Sequence, residues 1–135
     1  MRSGLTLLLA LLVLLLEVQL ATSAENEVTA RITLVVVSGT YVAGADSNGR
    51  GGLARVAGAV SAERERAEHV FVVHAGDAIS PSLMSGLDNG AHMIDLLNMV
   101  DLDMFVPGSH EFDFGPEVFA KRMGEASFPV YAANL

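Results

Sequence analysis

Apolar and polar positions along the chain follow a pattern typical of strands alternating with helices. Short apolar runs rich in β-branched residues predict buried strands at residues 31–37, 70–73, 102–106 and 128–132. Between these runs, apolar residues recur at helical spacing from Leu53 and from Ala91, and Pro116 is well placed to begin a third helix that reaches Glu125. The order β-α-β-α-β-α-β predicts an α/β fold with a mostly parallel sheet and right-handed crossovers.

Two of the predicted strands lead into glycine-containing loops that carry polar side chains. The second strand runs through His74 into Asp77, and the third is followed by His110 and Asp113. The carboxyl ends of parallel strands meet at one edge of a sheet, and ligands bind at that edge in open α/β folds. The sequence therefore predicts a functional site where Gly39, Asp77, His110 and Asp113 come together.

The N-terminal residues have the features of a secretory signal peptide. Arg2 precedes an apolar run over residues 5–16, and small residues at Thr22 and Ala24 suit cleavage before Glu25. The run is shorter than the roughly 20 residues that a membrane span needs. We therefore expect residues 1–24 to be a signal peptide and the protein to be secreted or periplasmic, with an uncleaved N-terminal anchor as the alternative.

Composition narrows the chemistry that the remaining residues, 25–135, can perform. The formal net charge of −8 disfavours nucleic acid as a partner, because phosphate binding needs clustered Lys and Arg. The chain contains no cysteine, which excludes disulfides, zinc–thiolate sites and thiol nucleophiles. Catalysis would have to use His, Asp, Glu, Ser or a metal held by oxygen and imidazole ligands.

Several blocks of sequence, taken together and in this order, resemble one enzyme family. These blocks cover residues 51–55, 74–78, 108–115 and 128–135, and they resemble the 5'-nucleotidase and UDP-sugar hydrolase branch of the calcineurin-like metallophosphoesterases. The resemblance covers only the N-terminal portion of the family's catalytic domain. It implies that residues 25–135 form the first part of a metallophosphoesterase α/β/β/α sandwich.

The resemblance also implies an activity and a set of site residues. The family hydrolyses phosphomonoesters with two divalent metal ions, such as Mn, Zn or Co, that clamp the phosphate and activate a water. By position, Asp77 would be the carboxylate that binds metal, and His110 and Asp113 would form the catalytic dyad that stabilises the phosphoryl group. The expected partner is a small phosphate ester, either a nucleotide or a sugar nucleotide.

At two ligand positions the sequence departs from the family pattern. Gly39 stands where the family has the Asp of its first strand, with Tyr41 at the following His position, and Ser109 stands where it has an Asn. Glycine cannot ligate, and a serine hydroxyl is a weaker donor than an amide carbonyl. The family's further His ligands lie later in its sequence than Leu135. We therefore expect this chain to be an impaired phosphohydrolase, with a non-catalytic binding module or a truncated pseudoenzyme of the same fold as alternatives.

Other residues that could suggest chemistry are interpreted as structural. His92, Met93 and Met99 fall on a predicted helix that packs as core, and His74 belongs to the end of a buried strand. Residues 46–49 resemble a fragment of a calcium-binding loop, but the later acidic residue of that pattern is missing.

Overall fold

A computed structural model describes residues 12–13 and 29–133 of the chain. The chain divides into two compact units, Met1–Ala30 and Arg31–Leu135. In the first unit residues 12–13 are helical, and the rest of the predicted signal peptide, residues 1–24, lies outside the described residues. Within the described ranges, none of the helices has the length and apolar character needed to cross a bilayer.

The second unit alternates strands and helices in the predicted way. Its elements are β1 (Ile32–Val37), α1 (Leu53–Arg66), β2 (His69–His74), α2 (Ser85–Asp88), α3 (Ala91–Leu97), β3 (Met104–Phe105), a 3₁₀ turn (Ser109–Phe112) and α4 (Pro116–Glu125). The three strands form a parallel sheet in the order β1-β2-β3. The α/β class and the parallel sheet predicted from the sequence are confirmed.

Two details differ from the predicted pattern. The fourth strand is reduced to a single parallel bridge between Phe105 and Val130, because Pro129 has no N–H to donate and Pro107 ends β3 soon after Phe105. The connection between β2 and α3, where the sequence pattern predicts no helix, includes the short helix α2, which begins where the Ser82 hydroxyl accepts a hydrogen bond from the Ser85 N–H at 3.0 Å.

The hydrophobic core lies on one face of the sheet. Right-handed crossovers between strands that are placed in sequence order carry every helix to the same side. Accordingly, Val72 and Phe105 on the strands are fully buried in one cluster with Val60 of α1 and with Ile94 and Leu97 of α3. The Phe105 ring stacks on His74 with a centroid distance of 5.1 Å and also packs against Phe128 at 5.5 Å.

The opposite face of the sheet is apolar and exposed. Strand side chains alternate between faces, and the outward set is Ile32, Leu34 and Val36 on β1, with Phe71 on β2. Parallel sheets normally have both faces covered. Residues 29–133 therefore form one layer of helices on one sheet, which agrees with the helix-and-sheet half of the sandwich that the family resemblance implies.

We expect the two faces to respond differently to the same substitution. Phe105→Ala opens a cavity in the core and should lower the free energy of unfolding by about 3–5 kcal/mol. Phe71→Ala removes a ring that is 43% exposed on the uncovered face, and it should cost less than about 1 kcal/mol. Urea denaturation of the full chain measures both changes, and equal losses would contradict the one-sided core.

Candidate functional site

The loop after β1 brings Gly39 next to the loop after β2. The Gly39 N–H donates to the Gly76 carbonyl oxygen at 3.1 Å, and the Ser38 hydroxyl donates to the same oxygen at 3.4 Å. Gly39 has φ +65°, a left-handed conformation, and a Cβ built on it would meet only the Tyr41 ring at 4.0 Å. This position at the sheet edge has space for a side chain but provides no ligand.

Asp77 is turned toward the loop after β3. It is a non-glycine residue with φ 59°, and its Oδ1 accepts a hydrogen bond from the His110 N–H at 3.0 Å. Aspartate tolerates this left-handed conformation better than most residues. The structure therefore places two of the predicted site residues, Asp77 and His110, in direct contact at the carboxyl edge of the sheet.

Glu111, which sequence reasoning did not single out, joins the two loops from the inside. Its side chain is fully buried, and its carboxylate accepts hydrogen bonds from the backbone N–H groups of Asp77, Ala78, Ile79 and Gly108 at 2.9, 2.6, 3.3 and 2.6 Å. Buried carboxylates are stable only when they are well paired, and four N–H donors meet that need. The sequence signal for it is an acidic residue in the loop between the apolar strand β3 and helix α4.

The backbones of the two loops are in close contact. A Cβ built on Gly76 would lie 2.2 Å from the Gly108 nitrogen, and one built on Gly108 would lie 2.4 Å from Asp77 Oδ1. Such distances leave no room for a methyl group at either position. The two glycines are therefore required for the loops to approach closely enough for Glu111 to bind both.

His110 and Asp113 form a hydrogen-bonded pair at the rim of the site. His110 Nδ1 and Asp113 Oδ2 are 2.7 Å apart, with side chains 40% and 39% exposed. The hydrogen bond that Asp113 accepts from the ring raises the pKa of His110. The same bond, together with one from the Ser80 hydroxyl, lowers the pKa of Asp113. This pairing occupies Nδ1 of the imidazole and leaves Nε2 as the ring nitrogen that can contact a substrate.

His74 is a second histidine at this sheet edge, but it is buried. Its Nδ1 accepts from the Gly76 N–H at 3.1 Å, and its Nε2 lies 2.7 Å from Thr40 Oγ1. Burial lowers the pKa of His74, which favours the neutral ring. A neutral ring that accepts at Nδ1 carries its proton on Nε2 and donates to Thr40. His74 therefore connects the first two strand-end loops, in keeping with the structural role expected for it.

The described residues do not provide the ligand set of a metal ion. Gly39 has no side chain, Asp77 already uses one oxygen for the His110 N–H, and Ser109 offers only an exposed hydroxyl. Throughout residues 12–13 and 29–133, no three His, Cys, Asp or Glu side chains are grouped closely enough to hold a metal. The two-metal centre implied by the family resemblance does not fit these residues.

The remaining candidates have structural contacts. His92 Nδ1 lies 2.8 Å from Asp88 Oδ2, which links α3 to α2, and Met93 is fully buried. The prediction that Met99 packs in the core is wrong, because it follows the end of α3 and its side chain is 78% exposed. Asp46 accepts hydrogen bonds from the backbone and side chain of Arg50, which close a local turn.

Comparisons with known proteins agree with the resemblance seen in the sequence blocks. No family model matches the chain. It is 34% identical over 85 residues to a probable 5'-nucleotidase of Treponema pallidum, a match that covers 63% of this chain and 14% of that protein. Its fold is similar to the NAD nucleotidase of Haemophilus influenzae, with a TM-score of 0.68 and 27% identity over 76% of this chain and 20% of that one.

A third similarity identifies the fold class. A calcineurin-like phosphoesterase of Bacillus subtilis superposes with a TM-score of 0.61 over 73% of this chain and 35% of that one, at 19% identity. The fold is therefore that of the calcineurin-like phosphoesterases. Within this class, the chain is similar to 5'-nucleotidases. It spans about one seventh of the length of these two curated relatives, the Treponema pallidum protein and an NAD 5'-nucleotidase of Haemophilus influenzae.

The role of Glu111 can be tested by an isosteric substitution. Glu111→Gln replaces one acceptor oxygen of the carboxylate with an amide NH₂ group. This NH₂ group would face backbone N–H groups and cannot accept hydrogen bonds from them. Leaving buried donors without acceptors should lower the free energy of unfolding by roughly 2–3 kcal/mol. Urea denaturation measures the change, and the exposed Glu65→Gln, which makes the same chemical change on α1, is the control. A loss no larger than that of the control would show that Glu111 does not hold the loops.

Proposed function

We propose that this chain is the N-terminal part of an exported, metal-dependent phosphomonoester hydrolase of the 5'-nucleotidase type, and that its own residues support catalysis poorly. The observation that carries the proposal is the meeting of Asp77 with the His110–Asp113 pair at the carboxyl edge of the sheet, in a chain related to 5'-nucleotidases. Residues 1–24, proposed as the signal peptide, account for export.

In this proposal the His110–Asp113 pair acts on the phosphoryl group. Asp113 holds Nδ1, so the Nε2–H of His110 donates to a phosphoryl or leaving-group oxygen. The raised pKa of His110, caused by the hydrogen bond to Asp113, keeps the ring protonated to higher pH. A protonated imidazole adds a positive charge beside an anionic ester in an otherwise acidic chain.

The substrate class follows from the relatives and from the charge of the chain. The relatives are named for hydrolysis of 5'-nucleotides and of NAD, so a small nucleotide or sugar nucleotide is the proposed substrate. The net charge of −8 supports a small ester over a nucleic acid polymer.

The impairment is proposed from the two substituted ligand positions. Changes even among the residues that support metal ligands cost about 10–100-fold in affinity or activity, so loss of ligands themselves costs more. Gly39 and Ser109 remove two of the family's ligands, and Asp77 alone cannot hold two cations. The same substitutions support the alternative, a non-catalytic module that keeps the fold for binding.

Impairment can be tested directly on the purified full chain. With manganese, zinc or cobalt added, we expect no hydrolysis of AMP or of a chromogenic phosphate ester, and less than one equivalent of bound metal by elemental analysis. The reason is the incomplete ligand set. Turnover that is abolished by His110→Asn would establish an active site here and would contradict the impairment, whereas turnover that survives this substitution comes from a contaminant.

Restoring the substituted ligands should restore metal affinity. Gly39→Asp with Ser109→Asn is expected to raise affinity for manganese or zinc at least about 10–100-fold, measured by titration calorimetry on the full chain. Gly39 has space for a side chain but a φ of +65°, which strains any substitution; aspartate bears this strain better than most residues, as Asp77 does at φ 59°. Gly51→Asp with Ser61→Asn, at a glycine of φ +71° and a serine on α1, adds the same groups elsewhere. Equal affinity in both variants would mean that positions 39 and 109 are not ligand positions.

A further inference from the structure

Ser80 makes a contact that the proposed function leaves unexplained. Its hydroxyl donates to Asp113 Oδ2 at 2.8 Å, and this is the same oxygen that lies 2.7 Å from His110 Nδ1. Ser80 is only 5% exposed, whereas the side chains of the dyad are about 40% exposed. The three side chains thus form a hydrogen-bonded series that runs from the interior to the rim of the site.

We propose that Ser80 is a positioning residue that holds the Asp113 carboxylate in one orientation and thereby sets the ring orientation and tautomer of His110. The proposal rests on the proposed function, which gives the His110–Asp113 pair its role at the phosphoryl group. Ser80 itself does not contact the substrate, so it acts only through Asp113.

An exposed pair needs such support. A hydrogen-bonded pair of exposed charged side chains gains little free energy, because it gives up side-chain entropy and is screened by water. The Asp113 side chain follows a single 3₁₀ turn and is open to solvent on one side. A second donor that converges on the same oxygen selects the rotamer in which Asp113 faces His110.

The backbone of Ser80 is fixed well enough to serve as this anchor. The preceding residue, Ile79, is fully buried and its N–H donates to Glu111 Oε1 at 3.3 Å. A Cβ built on Gly90 would lie 2.5 Å from the Ile79 Cβ, so the backbone at Gly90 packs tightly against Ile79. Ser80 therefore transmits the rigidity of the loop after β2 to a dyad on the loop after β3.

The tautomer of neutral His110 reports on this role without any turnover. In the full chain, ¹⁵N NMR of the imidazole above its titration range should show His110 mainly as the Nδ1–H tautomer. Ser80→Ala should shift the population toward the Nε2–H form that an unconstrained histidine side chain favours, and Ser80→Thr, which keeps the hydroxyl, should restore the wild-type spectrum. Ser85→Ala removes another buried serine hydroxyl, one that contacts Ser82 and not the dyad, and should change nothing.

A second variant, Ser80→Cys, tests the positioning role if Ser80→Ala folds poorly. Ser80→Cys retains the size of the side chain but is a weak donor, and it should reproduce the tautomer shift. In an Asp113→Asn background, Ser80→Cys should add no further change, because the effect passes through the carboxylate. An unchanged tautomer in folded Ser80→Ala or Ser80→Cys would overturn the positioning role. Assays of nucleotide hydrolysis and of metal binding by the chain bear on the proposed function alone, so the two proposals can fail independently.

Discussion

The buried carboxylate of Glu111 is the interaction on which the site depends. A charge in the interior persists only if hydrogen bonds replace its lost hydration, and the donors here come from two loops that follow different strands. Satisfying this one group therefore fixes how far apart the loops lie. Asp77 and His110 are brought into contact as a consequence, and the glycines at 76 and 108 make the approach sterically feasible.

Much of the fold could be predicted from local pattern. Residues 53–66 and 116–125 show helical spacing, a suitable start and a polar end, and the helices there have the expected bounds. The strand at residues 128–132 was overestimated, because apolar composition does not show that its partner β3 has only two residues to pair with. Met99 was misassigned for a related reason, since periodicity continues beyond the residue at which α3 ends.

The proximity of the candidate site residues could be predicted from the sequence, but most of the hydrogen bonds that connect them could not. Asp77, His110 and Asp113 stand at strand ends, where a parallel sheet gathers side chains, so position alone brought them together. The contributions of Glu111 and Ser80 come from tertiary hydrogen bonds between residues more than thirty positions apart, which spacing does not report. The chemical roles of the dyad rest on family relationship and on the proposed experiments.

The close backbone approach of Gly76 to Gly108 has a consequence for how sequences with this fold can diverge. The distance between the strand ends is set by main-chain contact, by one buried acid and by Asp77, and no side chain at position 39 or 109 takes part in setting it. Residues such as 39 and 109 can then be exchanged without disturbing the architecture. A scaffold of this kind can keep the geometry of its strand ends while the side chains around them change.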